Sequence, residues 1–391
     1  MTAVQKKRLT AALCAMMFAG ACCNMTQGAL LTDFIGHYVL VSARQGAVSS
    51  FQTAGNIASL LLVGFLLGRL RKYCLLAVSA VVIPSVFFLM GIKPAFAALL
   101  LLYFFYGAAF GFVDTLASSV MVDLHPDGSG RFLNLIHGVY GVGALCAPAV
   151  LQLLSEAGVE WNILLVCCGA LALASGFLYL SSAVPVLRIK RNAPENAGKL
   201  RLGDIKKYLS SPPRRILLFC AVLYGAHQIG VTVWVNRYIS EYLGSPRWGA
   251  AALSFFWLGI ASSRLAVMKL RFEPRKILRY GYLFSGLFLL AGVVAARGPL
   301  MAVCTLLAGA AEGPTLPIAL DLACRREPQN TSFGSTMLLL GHNLGLVAAP
   351  PAMAFLISNV SPACGMLLPV ITALLASVFA CRLPVSAEDK T

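Results

Sequence analysis

The chain is a succession of long apolar runs separated by short polar stretches. A helix needs about 20 apolar residues to cross the hydrocarbon core of a bilayer, and each run has roughly that length. Open strands are excluded, because their backbone groups would lack hydrogen-bond partners in lipid. The pattern predicts twelve membrane-spanning helices, numbered here as spans 1 to 12: 9–31, 46–68, 73–91, 95–123, 132–155, 161–185, 215–240, 248–270, 276–296, 299–322, 332–358 and 363–383.

Composition agrees with this pattern. The 391 residues are 59% hydrophobic and 12% charged, with a mean hydropathy of +0.80. A soluble domain of this length has no core large enough for so much apolar surface, so an all-α polytopic membrane protein is predicted. The net charge of +16 would suggest nucleic acid in a soluble protein. Here the cations fall in short loops, and we expect membrane lipid and no nucleic acid as partners.

The cations also predict the orientation in the membrane. Lysine and arginine number 25 at the two termini and in the loops on the same side, against 4 in the opposite loops. Cytoplasmic loops carry this excess, so both termini are expected in the cytoplasm of a multi-pass protein, in a bacterial inner membrane. The longest loop, 186–214, holds nine of these cations when Arg215 at its end is included, and it separates an N-terminal bundle, 1–185, from a C-terminal bundle, 215–391.

The N-terminus admits a second interpretation. Lys6, Lys7 and Arg8 precede an apolar run, as in a signal peptide, and Ala19–Cys22 resembles a lipoprotein cleavage box. We favour an uncleaved first span, because cleavage would upset the orientation and the repeat described next. The twelve cysteines lie mostly within apolar spans and form no C-x-x-C pair, so no metal, disulfide framework or cofactor is expected.

The chain contains an internal duplication. Gly107–Pro148 aligns without gaps to Gly309–Pro350, at an offset of 202 residues. Shorter echoes join Ser50–Gly55 to Ser254–Gly259. Two parallel six-helix repeats with cytoplasmic ends describe the major facilitator architecture, in which solute binds near the midplane between the halves. The fold class predicted is therefore two six-helix pseudo-symmetric bundles, and a monomer is expected.

Three charged residues lie well inside predicted spans, away from the span ends. Such residues are costly in the membrane and are functional candidates by default. Asp114 is the strongest proton-coupling candidate, since burial disfavours the charged form of a carboxyl group. Glu312, one turn from the equivalent position in the repeat, is the second. Arg264 is a candidate for a gating ion pair, with Glu312 as one partner, or for a solute contact.

Uncharged polar residues collect on spans that line the cavity in this architecture. Each of them taken alone is also explained by a hydrogen bond between two helices, and such a bond contributes about 0.6 kcal/mol to stability. Together, amides and aromatic rings suit a sugar, since amides bind hydroxyls and rings cover the apolar face of the pyranose. The candidate solute ligands are Asn24, Gln27, Gln52, Asn56, Asn134, His137, Tyr140, His227, Gln228, Trp257, His342 and Asn343.

Spans 4 and 5 carry a family resemblance. Gly111–Ser119, followed by Leu133-Asn134-Leu135 and Gly143-Ala144, resembles the fucose–proton symporter family of the major facilitator superfamily. The resemblance implies that Asp114 stands where an acid takes part in sugar binding and proton transfer. The chain departs from that family at three candidate ligands. Ser118 replaces an asparagine in span 4, Tyr140 stands at the position of a cavity asparagine in span 5, and Gln27 falls near the position of the acid in span 1.

The leading interpretation is a secondary transporter that moves a small polar solute, a sugar, with a proton. A drug or metabolite exporter of the same fold, working by proton antiport, is the alternative. An enzyme is not expected, because no H-E-x-x-H, H-x-x-x-x-D or G-x-S-x-G motif is present. No nucleotide-binding loop is present either, so ATP is not the predicted energy source. Asp33, Asp123 and Asp321 lie near span ends and are expected at interfaces or gates.

Overall fold

The computed structural model of the protein describes residues 2–40, 47–66, 70–187, 202–268 and 273–384. All regular secondary structure in these ranges is helical. The helices are α1 Ala3–Ala29, α2 Leu31–Tyr38, α3 Ala47–Leu66, α4 Lys72–Gly91, α5 Phe96–Leu124, α6 Ser129–Glu156, α7 Trp161–Leu187, α8 Leu202–Ser210, α9 Pro212–Arg237, α10 Pro246–Val267, α11 Pro274–Ala295, α12 Gly298–Glu312, α13 Thr315–Arg325, α14 Thr331–Asn359 and α15 Pro362–Cys381.

The spans predicted from hydropathy are recovered. Eleven segments of the described chain are long and apolar enough to cross a membrane. α3, whose apolar part is shorter, occupies the position of the remaining predicted span, 46–68. Two short helices, α2 and α8, were not predicted, and residues 188–201 of the predicted loop 186–214 lie outside the described residues. The all-helical, twelve-span fold class is confirmed.

Span 10 is interrupted where a single helix was predicted over 299–322. α12 ends at Glu312 and α13 begins at Thr315. Proline has no N–H, so Pro314 and Pro317 each remove one hydrogen bond of the helical ladder. The carbonyl oxygen of Gly313 would take its helical bond from residue 317, and it is therefore left open to another donor. This break shapes one of the polar groups described below.

Local sequence explains where many helices begin. Thr2 and Gln5 form a reciprocal capping box at the start of α1. The side chain of Asn330 accepts a bond from the Phe333 N–H at the start of α14. Proline occupies the first turn of α9, α10, α11 and α15, where its missing N–H costs nothing. Helix starts therefore follow rules that are visible in the sequence.

The described residues form two compact units. The first comprises 1–124 and 139–200, and the second comprises 125–138 and 201–391. The division falls inside α6, between Gly138 and Val139, so the first ten residues of this helix pack with the second unit. The bundle boundaries expected from the sequence, 1–185 and 215–391, remain a prediction.

The two units repeat the same helix pairings. In the first unit α3 packs on α5, α4 on α7, α1 on α7 and α4 on α5. In the second unit α10 packs on α12, α11 on α15, α9 on α15 and α11 on α12. In span numbers, the pairs 2–4, 3–6, 1–6 and 3–4 of the first unit recur as 8–10, 9–12, 7–12 and 9–10. The duplication visible in the sequence is thus repeated in the packing.

Glycines set the closest of these crossings. A β carbon on Gly55 would lie 2.0 Å from the carbonyl oxygen of Phe104, and one on Gly111 would lie 2.0 Å from the Ser59 hydroxyl. In the second unit, an added β carbon on Gly259 would lie 2.3 Å from the Leu306 carbonyl oxygen. One on Gly313 would lie 2.2 Å from the Ser263 hydroxyl. Small residues let membrane helices approach closely, and these positions have no room for any larger side chain.

Candidate functional site

Asp114 lies on the inward face of α5. Leu101 and Phe105 form an exposed stripe along this helix, as expected of side chains that face lipid. At about 100° per residue, Asp114 is roughly 180–220° away from that stripe. Its neighbours Val113 and Thr115 are fully buried, whereas Asp114 is half-buried. Asp114 is therefore a partly accessible acid on the inward face of α5.

A tyrosine and two amides form a hydrogen-bonded group in the first unit. The Asn24 side-chain N–H donates to the Tyr140 hydroxyl at 2.8 Å, and the Gln52 side-chain N–H donates to the side-chain oxygen of Asn24. The Tyr140 ring stacks on Phe110, with ring centroids 5.9 Å apart. Phe110 is one helical turn before Asp114 on the same face. Candidate ligands from spans 1, 2 and 5 therefore meet, and Phe110 links them to the turn that carries the acid.

Two amide oxygens in the first unit are left open. The side-chain oxygens of Gln27 and Gln52 are buried and have no hydrogen-bond partner among the described residues. A buried acceptor without a partner costs about 1–3 kcal/mol. Natural proteins retain such groups mainly where water, an ion or a ligand completes them. These two oxygens are therefore sites at which a hydroxyl donor would be stabilising.

Arg264 lies at the centre of a second polar group. Its side chain is 3% exposed, and its Nε donates to the carbonyl oxygen of Gly313 at 2.7 Å, the oxygen that Pro317 leaves without a helical donor. Its two terminal nitrogens donate to the carbonyl oxygen of His137 and the hydroxyl of Tyr224, each at 3.2 Å. Within the described chain, the ion pair considered between Arg264 and Glu312 is not formed, because the guanidinium is used on neutral acceptors.

Tyr224 extends this group towards α14. Its hydroxyl also accepts a hydrogen bond from the Gln228 side chain at 3.1 Å, and the Gln228 oxygen lies 3.2 Å from Nε2 of His342. The rings of Tyr224 and His342 are 5.4 Å apart. Two predicted solute ligands, Gln228 and His342, are thus brought together with Arg264 by a tyrosine that was not predicted.

Glu312 is paired with a histidine. Its Oε2 lies 2.6 Å from Nε2 of His227, and the two side chains are 0% and 1% exposed. The hydroxyl of Ser285 lies 2.9 Å from the same nitrogen and 3.5 Å from Oε2 of Glu312. Nδ1 of His227 lies 2.7 Å from the carbonyl oxygen of Pro369. Both ring nitrogens are therefore engaged within the protein.

Other predicted ligands bond to their own helices. The side chains of Asn134 and Asn343 donate to carbonyl oxygens four residues earlier, Gly130 and Leu339, at 2.8 Å. The Ser118 hydroxyl donates in the same way to the Asp114 carbonyl oxygen. The Asn134 oxygen remains without a partner in the described part of the chain. Asn56 contributes its backbone to the glycine crossing of α3 and α5, and Trp257 packs edge-on against Phe256.

Two acids near span ends, Asp123 and Asp321, have basic partners. Asp123 pairs with Lys72, which is 4% exposed at the start of α4 and also reaches the Ser119 hydroxyl. Asp321 lies 3.0 Å from Nε of Arg325 and contacts the Ser129 hydroxyl at the start of α6.

Three residues of these groups were missed from the sequence. Tyr224 and Ser285 are single hydroxyl groups in apolar spans, and Lys72 lies in a basic stretch directly before span 3. The only sequence signal for Lys72 was the run Arg69–Lys72 directly before span 3, which gives a base without its acid. The acid, Asp123, comes from another helix.

Comparison with known proteins agrees with this arrangement. No curated protein sequence matches the chain. Solved structures resemble it: the transporter FucP in the outward conformation has a TM-score of 0.78 at 18% identity, covering 96% of this chain and 99% of that one. The E. coli fucose:proton symporter FucP (N162A) gives 0.78 at 17% identity, with 96% and 98% covered. The human organic anion transporter MFSD10 (TETRAN) gives 0.75 at 14% identity, with 96% and 99% covered.

These likenesses establish the fold. The sequence itself carries the family: residues 12–270, well over half of the chain, match the profile of the Major Facilitator Superfamily. Members of this superfamily are carriers of small-molecule solutes and not enzymes. The repeated helix pairings, the glycine crossings and the sequence match together lead to one conclusion. The chain belongs to the Major Facilitator Superfamily and is a multi-pass membrane transporter.

Proposed function

We propose that the protein is a secondary active transporter that moves a small polar solute, a sugar, together with a proton by alternating access. The observation that carries this proposal is the half-buried Asp114 on the inward face of α5, one turn from the stacked Phe110 and Tyr140. An acid in this setting can bind and release a proton, and the adjoining amides can bind hydroxyl groups. The fucose:proton symporter FucP, with the same fold, supports a sugar as the first class to test.

The polar group of the first unit is assigned to solute hydroxyls. The open oxygens of Gln27 and Gln52 would accept hydrogen bonds from solute hydroxyl groups, and Asn24, which bonds to Tyr140, holds the Gln52 side chain in position. These groups are uncharged, which suits a neutral polyhydroxylated solute. Aromatic rings beside them, such as Phe110, would cover the apolar face of a sugar ring.

Asp114 is assigned to coupling. A carboxyl group shielded from water favours its neutral form, and one open to water favours its ionised form. A transport cycle that alternately shields and exposes Asp114 would therefore load and release one proton for each solute. Gln27, in place of an acid in span 1, cannot titrate, so the first unit has a single coupling acid in this proposal.

The remaining assignments concern the setting of the protein. We place it in a bacterial inner membrane as a monomer, with both termini in the cytoplasm. The support is the bias of cations, 25 against 4, between the two sets of loops and termini. A reporter fused after Lys390 tests the orientation, because a periplasmic signal would contradict it.

The test of transport is uptake into proteoliposomes. Purified protein is reconstituted, and a panel of labelled neutral sugars is offered with and without an imposed proton gradient. Accumulation of one sugar above equilibrium, only with the gradient, is the expected result. Equal uptake with and without the gradient, for a sugar that does enter, would reject proton coupling while retaining transport.

Export of an anionic metabolite or drug is the second candidate, and one observation favours it. Arg264 is buried, and its bonds in the described chain go to two carbonyl oxygens and a hydroxyl, with no carboxylate. A buried cation whose direct hydrogen bonds go only to neutral acceptors would attract an anionic solute. The human organic anion transporter MFSD10 (TETRAN), which shares the fold, is consistent with this class. Gradient-driven efflux of fluorescent organic anions, with no sugar uptake, would select this candidate.

A further inference from the structure

The second unit contains a buried acid–base pair that the proposed solute site does not use. Glu312 at the end of α12 and His227 on α9 are almost completely excluded from solvent, and their Oε2 and Nε2 atoms are 2.6 Å apart. Two ionisable groups are rarely placed so deep in a membrane protein without a function. His227, predicted above to bind solute, has no free ring nitrogen with which to do so.

The contacts determine the tautomer of the histidine. The carbonyl oxygen of Pro369 can only accept a hydrogen bond, so Nδ1 of His227, 2.7 Å away, must carry a hydrogen. Nε2 then faces the Glu312 carboxyl group at 2.6 Å. A contact that short between two acceptors requires one proton between them. It is held either by the imidazole as an imidazolium or by Glu312 as a carboxylic acid.

Both of these forms are neutral overall. Moving the proton from Nε2 to Oε2 converts an imidazolium and a carboxylate into an imidazole and a carboxylic acid, with no change in total charge. Ser285 fits either form, because its hydroxyl can accept from the ring nitrogen or donate to the carboxyl oxygen. The dry surroundings therefore favour a pair that holds a single proton.

We propose that His227 and Glu312 form a second proton-binding site of the transporter, which holds one shared proton when closed and releases it when opened to water. The inference rests on the proposed proton-coupled function and deepens it, since it assigns a titrating pair, and not a solute contact, to His227. Release leaves a neutral imidazole with its hydrogen on Nδ1 and a carboxylate on Glu312. The proton passes to water.

Neighbouring charges favour release over uptake of a further proton. Arg264 on α10 lies beside the pair, because its Nε binds the carbonyl oxygen of Gly313, the residue after Glu312. A fixed cation there stabilises the anionic pair and disfavours a cationic one. The other titratable groups around the pair are Tyr224 on α9 and Tyr282 on α11, and a buried tyrosine is uncharged.

The free carboxylate oxygen supports a change of hydration at this site. Oε1 of Glu312 is buried and has no hydrogen-bond partner in the part of the chain that the structure describes. An unpartnered oxygen is tolerated best on a neutral carboxylic acid and worst on a carboxylate. After release of the proton, Oε1 would therefore need a hydrogen bond from a water molecule or another donor. Because water reaches Oε1 only when the site opens, the charge of the pair depends on opening of the site.

The first experiment reads the proton directly. The full chain is labelled with ¹⁵N-histidine in lipid bilayers, and the five histidines are distinguished by comparing wild type with His227→Gln. We expect Nδ1 of His227 to carry a hydrogen throughout, and the Nε2 resonance to shift as pH rises and the shared proton leaves. In Glu312→Gln the Nε2 resonance should lose this pH response. A hydrogen on Nε2 with a bare Nδ1, or the same pH response in Glu312→Gln, would overturn the proposal.

The second experiment links the pair to transport. Glu312→Gln keeps size and can donate a hydrogen bond to Nε2, so the fold is expected to survive, as checked by the unfolding temperature. Glu312→Gln and His227→Gln should each lower gradient-driven accumulation to passive equilibration while exchange of solute across the membrane continues. The matched control is Glu241→Gln, an exposed acid of the same unit, which should accumulate as wild type does.

The two hypotheses fail in different ways. If wild type shows no response to a proton gradient, the proposed symport is rejected, and the histidine spectra still decide whether the proton is shared. If wild type responds and both variants accumulate normally, symport stands and the second site is rejected.

Discussion

Gly107 of α5 lies directly on the main chain of Gln52 of α3: a β carbon added to Gly107 would lie 2.0 Å from the Gln52 carbonyl oxygen. The side chain of the same glutamine bonds to Asn24 in the candidate solute group. One glycine therefore sets both the distance between two helices and the position of a candidate ligand.

Gly107→Ala should destabilise the protein by about 1–3 kcal/mol, the usual cost of forcing extra volume into a well-packed site. The Gln52 backbone must move, so solute affinity should fall as well. Gly309→Ala, which meets the Phe256 carbonyl oxygen at 2.2 Å in the second unit, should destabilise to a similar degree. Reversible unfolding in mixed micelles measures the first effect and equilibrium binding the second.

Gly28→Ala is the matched control for both glycine variants. A β carbon at Gly28 has nothing within 4 Å, and alanine favours the helix, so no loss of stability is expected there. Equal unfolding free energies for all three variants would contradict the close crossing.

Asp114→Asn keeps size and hydrogen-bonding capacity but cannot titrate. If this acid couples the proton, the variant loses gradient-driven accumulation and retains solute exchange. Asp127→Asn, which removes an exposed acid in the turn before α6, should leave both activities unchanged. Wild-type accumulation with the same pH dependence in Asp114→Asn would remove Asp114 from the mechanism and make Glu312 the first candidate.

Arg264→Gln should cost about 1–3 kcal/mol of unfolding free energy, because the Gly313 carbonyl oxygen loses the donor that replaces the missing Pro317 N–H. Lysine at this position cannot reach three acceptors in a fork, so Arg264→Lys should recover only part of the loss. Arg237→Gln, at a half-exposed arginine, should change stability by less than about 0.5 kcal/mol. Thermal unfolding of the four proteins compares them, and an Arg264→Gln variant as stable as wild type would reject this role.

Lys72 and Asp123 should behave as a coupled pair. Lys72→Met leaves an acid beside the buried start of α4 and should cost about 1–3 kcal/mol, less than for a wholly buried pair because the Asp123 side chain is 35% exposed. Adding Asp123→Asn should restore part of the loss, as a double-mutant cycle detects. Lys276→Met, in the exposed pair with Glu273, is the control and should have almost no effect. Strict additivity would show that the contact carries no energy.

Glu160 gives a pH-dependent prediction outside the membrane spans. A hydrogen bond from Lys93 at 2.5 Å, together with the lysine charge, lowers the pKa of the Glu160 carboxyl group below its ordinary value. The unfolded chain then binds the proton more readily, so the contribution of the pair is present above the ordinary pKa of glutamate and disappears as pH falls through the lowered value. Glu160→Gln should therefore reduce the acid-side fall of the unfolding temperature, and an unchanged slope would contradict the pairing.

Much of the fold was predictable because the membrane imposes one strong rule, the length of an apolar helix. Gly107 and Gly309 were identified as repeat markers from the sequence, and the structure gives their reason, since each lies on the backbone of a neighbouring helix. The break at Gly313–Pro314 was missed because hydropathy averages over the prolines. α8 was missed because its nine residues lie in a polar, basic stretch.

The partners of polar side chains were much less predictable. Asn134 and Asn343 have the residue type of a solute ligand, yet each donates to a carbonyl oxygen one turn earlier. His227 and Glu312 are far apart in sequence, and only the packing of α9 against its neighbours brings them together. Hydrogen-bond choices of this kind depend on distances of a few tenths of an ångström, which residue identity does not specify.

The division inside α6 has a consequence for biosynthesis. The first turns of this helix are translated with the first half of the protein, but their partners come much later: His137 precedes Arg264 by 127 residues, and Ser129 precedes Asp321 by 192. During synthesis, α3 and α5 can pack against each other through their glycines early. The start of α6 lacks its packing partners until most of the second half has been inserted. Maturation of this stretch is thus a late event, and a nascent chain stalled after α7 would display it to the insertion machinery.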